Sequence, residues 1–227
     1  MPNKALHPEV GLAVERPALS LPLRCLLRQI ALVIVLGWST LLGAADLSAP
    51  VILVAKPQLR GDLFSSTVLV VTPLGGDQHV GFIVNRPTNV TLGKLFAERV
   101  PRQKAPAPLY FGGPLDSQVI FALVQRPDSP GGDSFQVMAG LFAAFEVPIV
   151  DSIIKSESDH ARFVAGLVAW RRGELRDEVD QGAWYVLEPD AGLVMRHHEG
   201  LWEELVRRCQ QFVSSAQKSN WIARPSR

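Results

Sequence analysis

One segment constrains this chain more than any other. Gly166-Leu167-Val168-Ala169-Trp170 is followed by Arg171-Arg172-Gly173, a charged stretch over 174–181, and then Gly182-Ala183-Trp184. Residues 163–169 are apolar at successive positions, without the alternation of a strand that faces water on one side. They read as a central strand buried on both faces. In the charged stretch Leu175 and Val179 fall one helical turn apart, and Gly182 suits the C′ position that ends a short helix. Trp170 and Trp184 bracket that helix, and the ordinary role of two large aromatics so placed is core packing.

The rest of the chain supplies the partners such a strand needs. Residues 51–55, 67–71, 80–84, 109–111, 119–124 and 135–138 are short, β-branched or aromatic runs bounded by Gly, Pro or Asp, and they read as strands. Leu74-Gly75-Gly76-Asp77 suits a hairpin loop, and residues 127–133 form another loop. Leu92, Leu95 and Phe96 have helical spacing, with Asn89 or Thr91 able to cap. Leu201, Leu205, Cys209, Phe212 and Val213 form an apolar stripe on a C-terminal helix. Glu203–Arg207 and Glu204–Arg208 stand there as i, i+4 pairs. Strands outnumber helices and the early ones join through short loops. The expected fold is α+β, a mixed, largely antiparallel sheet with helices packed on it.

The N-terminus reads as a targeting segment. Arg24 and Arg28 precede an apolar run over residues 30–42, and Gly43-Ala44-Ala45 follows. That is the order of a secretory signal, with cleavage after Ala45 and a periplasmic or secreted product. Glu9 and Glu15 lie unusually far upstream, so a misassigned start site with a cytoplasmic product, or an uncleaved anchor, are the alternatives. The run is shorter than the ~20 residues of a membrane span, so none is expected after cleavage. The organisation is thus a leader over 1–45, one domain over 46–214, and a fraying tail over 215–227. Cys25 leaves with the leader, so Cys209 has no intramolecular partner.

Several function classes are disfavoured. The net charge is +1, which gives no footprint for nucleic acid. His197-His198-Glu199 invites a metal, but adjacent side chains point apart on a strand and about 100° apart on a helix, so neighbours seldom share an ion. Ser65 and Ser66 lack a nucleophile elbow, and Asp159-His160 is a weak base pair. Gly112-Gly113-Pro114 and Gly75-Gly76 lack the phosphate-loop lysine, and read as tight turns needing positive φ. Cys209 reads as core. No catalytic residue, metal or cofactor is expected.

A set of ordered motifs resembles the YqgE/AlgH family. These are Lys56-Pro57-Gln58-Leu59-Arg60, Phe64-Ser65, Gly81-Phe82-Ile83-Val84-Asn85-Arg86-Pro87, Thr91-Leu92 and Tyr110-Phe111-Gly112-Gly113-Pro114. Gly166 to Trp170, Gly173-Glu174-Leu175 with Glu178, Gly182-Ala183-Trp184 and Trp202 complete them. Leu167-Val168-Ala169 and Arg171-Arg172 depart from the usual pattern, which marks a divergent branch. The resemblance implies a non-catalytic binding or regulatory protein, since the family has no settled enzymatic activity. An enzyme acting on a small polar or phosphorylated molecule, with Arg86 and Glu174 or Glu178, is the alternative. An envelope interaction module is a third reading. The candidate binding residues are Asn85, Arg86, Tyr110, Gly112, Gly113, Trp170, Arg171, Arg172, Glu174 and Trp184. The partner is a protein or a small anionic ligand. Arg171 and Arg172, at the start of the charged helix, form an anion site in one reading, which Arg86 joins if the strand ends lie together. An Arg–Glu surface cluster is the other.

Overall fold

The computed structural model describes residues 45–222, apart from residues 60, 62 and 97–99 and the side chains of residues 103 and 216–222. The expected leader up to Ala44, Arg60 of the first motif and residues 223–227 lie outside the described residues. The sheet contains β1 (Val51–Ala55), β2 (Val68–Gly75), β3 (Gln78–Ile83), β6 (Leu115–Gln125), β7 (Ser134–Met138), β8 (Leu141–Ala144), β9 (Ala161–Trp170) and β10 (Trp184–Leu187). Their order is β10-β1-β2-β3-β9-β6-β8-β7. Each neighbouring pair on that path is antiparallel. β4 (Pro87–Thr91) and β5 (Pro108–Phe111) form a side ribbon, and β5 joins β9 in parallel. The sheet is mixed and largely antiparallel, and the class is α+β, as the strand pattern predicts.

Among the described residues the α-helices are α1 (Leu92–Phe96), α2 (Val147–Ser156), α3 (Glu174–Asp180), α4 (Ala191–Met195) and α5 (Leu201–Ile222). Because successive strand residues point to opposite faces, β2 sends Val68 and Val70 into one core and Leu69 and Val71 into another. The first core is closed by α4 and α5 through Leu193, Val194, Leu201 and Leu205, and the second by Leu175 of α3. A third core lies under α2, around Ile153, Ile154 and Phe163. With both faces covered, β1 is buried along its whole length. Val137 and Met138 of β7 share the first core with β2, so the sheet curls around it.

The structure departs from the sequence reading in particular places. Helix α5 continues to Ile222, past the point where fraying is expected. Ser, Ala, Gln and Lys follow there, none of them a helix breaker, and extending a formed helix costs little. The Glu204 carboxylate pairs with Arg196 rather than with Arg208. Thr91 caps α1, its Oγ1 accepting from the Lys94 N–H at 3.3 Å. Helices α2 and α4 and strands β4, β8 and β10 are additions to the expected elements.

β9 is the pivot of the fold. One edge of it pairs with β3 through Val168, Ala169 and Trp170, and then with β5 through Val164 and Ala165. β5 therefore enters as a wedge between β3 and β9. Gly112 stands at the tip, with the Ile83 N–H donating to its carbonyl and its own N–H donating to the Ala165 carbonyl, both at 2.8 Å. Gly112 and Gly113 are absent from the positive-φ glycines, whereas Gly75 and Gly76 have φ of 91° and 59°. The turn reading of Gly75-Gly76 stands, and that of Gly112-Gly113 is corrected. Gly113 is required because a Cβ there would sit 2.2 Å from the Leu167 carbonyl.

Candidate functional site

The sequence-predicted residues fall into three separate places. Asn85 and Arg86 lie beyond the C-terminal end of β3 and hold the loop before β2. Asn85 Oδ1 accepts the Val68 N–H at 2.8 Å, and its amide donates to the Ser66 carbonyl at 2.9 Å. The Arg86 guanidinium donates to the Leu63 and Ser65 carbonyls at 2.6 and 3.1 Å. Gly112 and Gly113 serve the wedge.

Trp170, Arg171, Arg172 and Glu174 gather at the opposite end of β3, while Trp184, opposite Ala55, stands nearer the Asn85 end and reaches α3 through Glu178. Trp170 pairs with His79 there, and His79 and Arg86 are separated by roughly 20 Å of strand. Arg86 therefore does not join Arg171 and Arg172, and Asn85, Arg86, Trp170 and Glu174 do not share a cleft. Trp170 and Trp184 are 5% and 4% exposed. Both indole N–H groups donate to one oxygen of Glu178, at 3.1 and 2.7 Å. Glu174 reaches back to accept the Arg171 N–H at 2.8 Å, and Arg172 Nε donates to the Gly76 carbonyl at 3.1 Å. α3 has seven residues, and its opening turn is occupied by its own carboxylate.

Tyr110 belongs to the third place, together with residues that sequence reasoning missed. Where β5 separates β3 from β9, the Val84 carbonyl loses its strand partner. Arg162, the second residue of β9, fills the fork. It donates to the Val84 carbonyl and, from its other terminal nitrogen, to the Arg196 carbonyl after α4. Its guanidinium stacks over the Tyr110 ring at 4.3 Å from the centroid. Tyr110 Oη is 3.0 Å from His198 Nδ1. The His197 and His198 rings stack at 4.9 Å instead of pointing apart.

Arg162 is 7% exposed. Two of its five N–H donors serve carbonyls, which leaves the charge itself unanswered: no carboxylate among the described residues pairs with it. A buried charge without a counter-ion is costly. Burial lowers the guanidinium pKa from its ordinary value, an effect Tyr110 opposes. The group lines a pocket of about 160 Å³ together with Tyr110, Lys104, Ser158, Asp159 and Met195. A larger depression of about 490 Å³ lies between β10 and α5, around Leu187, Cys209 and Phe212. It offers apolar area but no buried group that calls for a ligand.

His198 gives this site a pH signature. Desolvation holds its imidazole below the ordinary value of 6.5, with His197 and Arg162 adding to the effect and Glu199 opposing it. The unfolded chain therefore takes up this proton at higher pH than the folded chain does. Stability should decline as pH falls from about 7 towards 5, because the unfolded state then binds more protons. Denaturation midpoints measured across that window should show a shallower decline in His198→Gln. An unchanged slope would assign the decline to other groups.

The comparisons with known proteins accord with this fold. The AlgH-like family model (DUF179) matches residues 52–213, which takes in all the candidate site residues. A UPF0301 protein of Streptomyces coelicolor is 30% identical over 167 residues, covering 69% of this chain and 84% of that protein. One from Myxococcus xanthus is 26% identical over 163 residues, covering 70% and 89%. A solved structure from Corynebacterium diphtheriae is similar at TM-score 0.59 and 22% identity, over 71% of this chain and 86% of that one. The solution structure of AlgH from Pseudomonas aeruginosa is similar at TM-score 0.55 and 17% identity, over 78% and 94%. At these identities the two structures speak to the fold alone. With the family model spanning most of its length, the chain belongs to the AlgH-like UPF0301 family.

Proposed function

We propose that this chain is a non-catalytic binding protein of regulatory character, and that its ligand is a small anion held in the pocket floored by Arg162. One observation carries the reading: a guanidinium over nine-tenths buried, without a carboxylate partner among the described residues, lines an open cavity. An anion entering there supplies the missing charge and meets N–H donors already fixed by stacking on Tyr110. The volume is well below the roughly 300–1,000 Å³ of sites for drug-sized ligands, which favours a small ion over a nucleotide or flavin.

Among the described residues no activated nucleophile stands out, which supports a binding role. Desolvation pushes the Cys209 thiol up, away from the thiolate form. Asp159 is engaged by Lys104 at 2.6 Å. The enzymatic alternative needs Arg86 beside Glu174 or Glu178. Glu174 stands by the opposite strand end, and Glu178 is engaged by the two indole N–H groups while Arg86 is engaged by the Leu63 and Ser65 carbonyls. Calorimetric titration with acetate and phosphate should give saturable heat with the wild type and at least tenfold weaker binding in Arg162→Met. The helical and sheet signal of the variant shows whether it still folds. The absence of saturable heat in the wild type contradicts the reading, whatever the variant does.

A further inference from the structure

We propose that the pocket takes a short dianion, one anionic group on Arg162 and the other on Lys104, and that Asp159 keeps the second position occupied until that ligand arrives. The inference rests on the anion reading above and names its ligand class. Two cations line the pocket, brought there by different elements. Arg162 comes from β9, and Lys104 closes the single 3₁₀ turn Arg102–Lys104. Their situations differ. Arg162 has no counter-ion among the described residues, whereas Lys104 Nζ is 2.6 Å from Asp159 Oδ1.

The asymmetry within the second pair matters most. The Lys104 side chain is 32% exposed and that of Asp159 is 71% exposed. The cation is the more enclosed partner and the carboxylate the more exposed one. Asp159 can turn outward into water with little loss, since exposed ion pairs contribute little. A ligand carboxylate in its place restores the same charge-assisted contact to Lys104. The lysine also holds the Asp159 carboxyl below its ordinary value, so it is an anion at neutral pH and resembles the group it would yield to. Asp159 sits in the single 3₁₀ turn Ser158–His160, directly before β9. Its displacement needs only a side-chain rotation and leaves the sheet intact.

A monoanion satisfies Arg162 alone and gains nothing at Lys104. A diacid gains at both and must also fit about 160 Å³, which points to a short aliphatic chain. Calorimetry with acetate, phosphate, malonate, succinate and glutarate tests this on the full chain, on Lys104→Ala and on Asp159→Asn. At least one of the diacids should bind the wild type at least tenfold more tightly than acetate does. Lys104→Ala should remove that advantage while leaving acetate binding in place. Asp159→Asn should tighten diacid binding several-fold, because the internal competitor is gone. If acetate or phosphate binds but no diacid binds more tightly, or if Lys104→Ala keeps the diacid preference, the dianion inference falls and the simple anion pocket stands. If none of the five produces saturable heat, both fall.

Discussion

Trp170→Ala should lower the stability of this domain by about 3–5 kcal/mol, the range for deleting a large buried aromatic. The indole is 5% exposed and packs in the core that contains Val168, Leu175 and Trp184. Gly81 makes room for it, since a Cβ there would stand 3.1 Å from the ring. The loss has a second component. Glu178 accepts from both tryptophans through one oxygen, and removing Trp170 leaves a half-buried carboxylate with one of those donors gone. Trp170→Phe separates the two, because it keeps much of the ring area and loses only the N–H. It should cost less than the alanine variant. Chemical denaturation measures both, and a loss under about 1 kcal/mol for Trp170→Ala, typical of unconstrained surface sites, would contradict its place in the core.

Gly113→Ala should be comparably damaging, about 3 kcal/mol or more, at the upper end of what overpacking costs. The added Cβ would meet Leu167 C and O at 2.2 Å and Val168 N at 2.6 Å. All three are backbone atoms of the central strand, so no rotamer change relieves the clash. The wedge strand β5 must then back away from β9, which disturbs the fork that Arg162 fills. Gly173→Ala is the matched control. Gly173 has φ of +84° but nothing within 4 Å of its Cβ position, so its cost is only the left-handed backbone, about 1–2 kcal/mol. If Gly173→Ala proves the more destabilising in denaturant titrations, the close-approach explanation for Gly113 is wrong.

These two positions show what the sequence discloses. Trp170 ends an unbroken apolar run, and burial follows from local pattern, as it does for Cys209 on its helical stripe. β9 is legible for the same reason. Gly113 is visible as a glycine but not for its reason, which is the proximity of Leu167, more than fifty residues later in the chain. Helix α2 opens with Val147-Pro148-Ile149-Val150, β-branched residues that do not announce a helix, although proline suits a first turn. β8 is four apolar residues long, too short for periodicity to separate it from a buried helical turn.

The candidate site was the least legible part. Tyr110 stands out through its motif, but its partners do not. Arg162 is one cation before an apolar run, and in sequence it looks like a strand end reaching for solvent. Its burial follows from β5 entering between β3 and β9, a long-range topology with no local signature. Lys104 and Asp159 meet just ahead of the paired parallel strands β5 and β9, a second long-range contact. Asn85, Arg86, Trp170 and Glu174 all stand near strand ends in the sequence, and nothing local says which end each one occupies. The antiparallel register of β3 and β9 sends them to opposite ends.

The most direct test of the anion pocket is to observe the Arg162 guanidinium while an anion is added. Its Nε–H resonance, assigned by comparison with Arg162→Lys, should shift saturably on titration of the folded chain with malonate. The backbone amides of Tyr110 and Asp159 should move with the same midpoint, and those of Leu187 and Phe212 in the apolar depression should stay still. An Arg162 resonance that does not respond, while other arginines shift in proportion to ionic strength, would contradict the account.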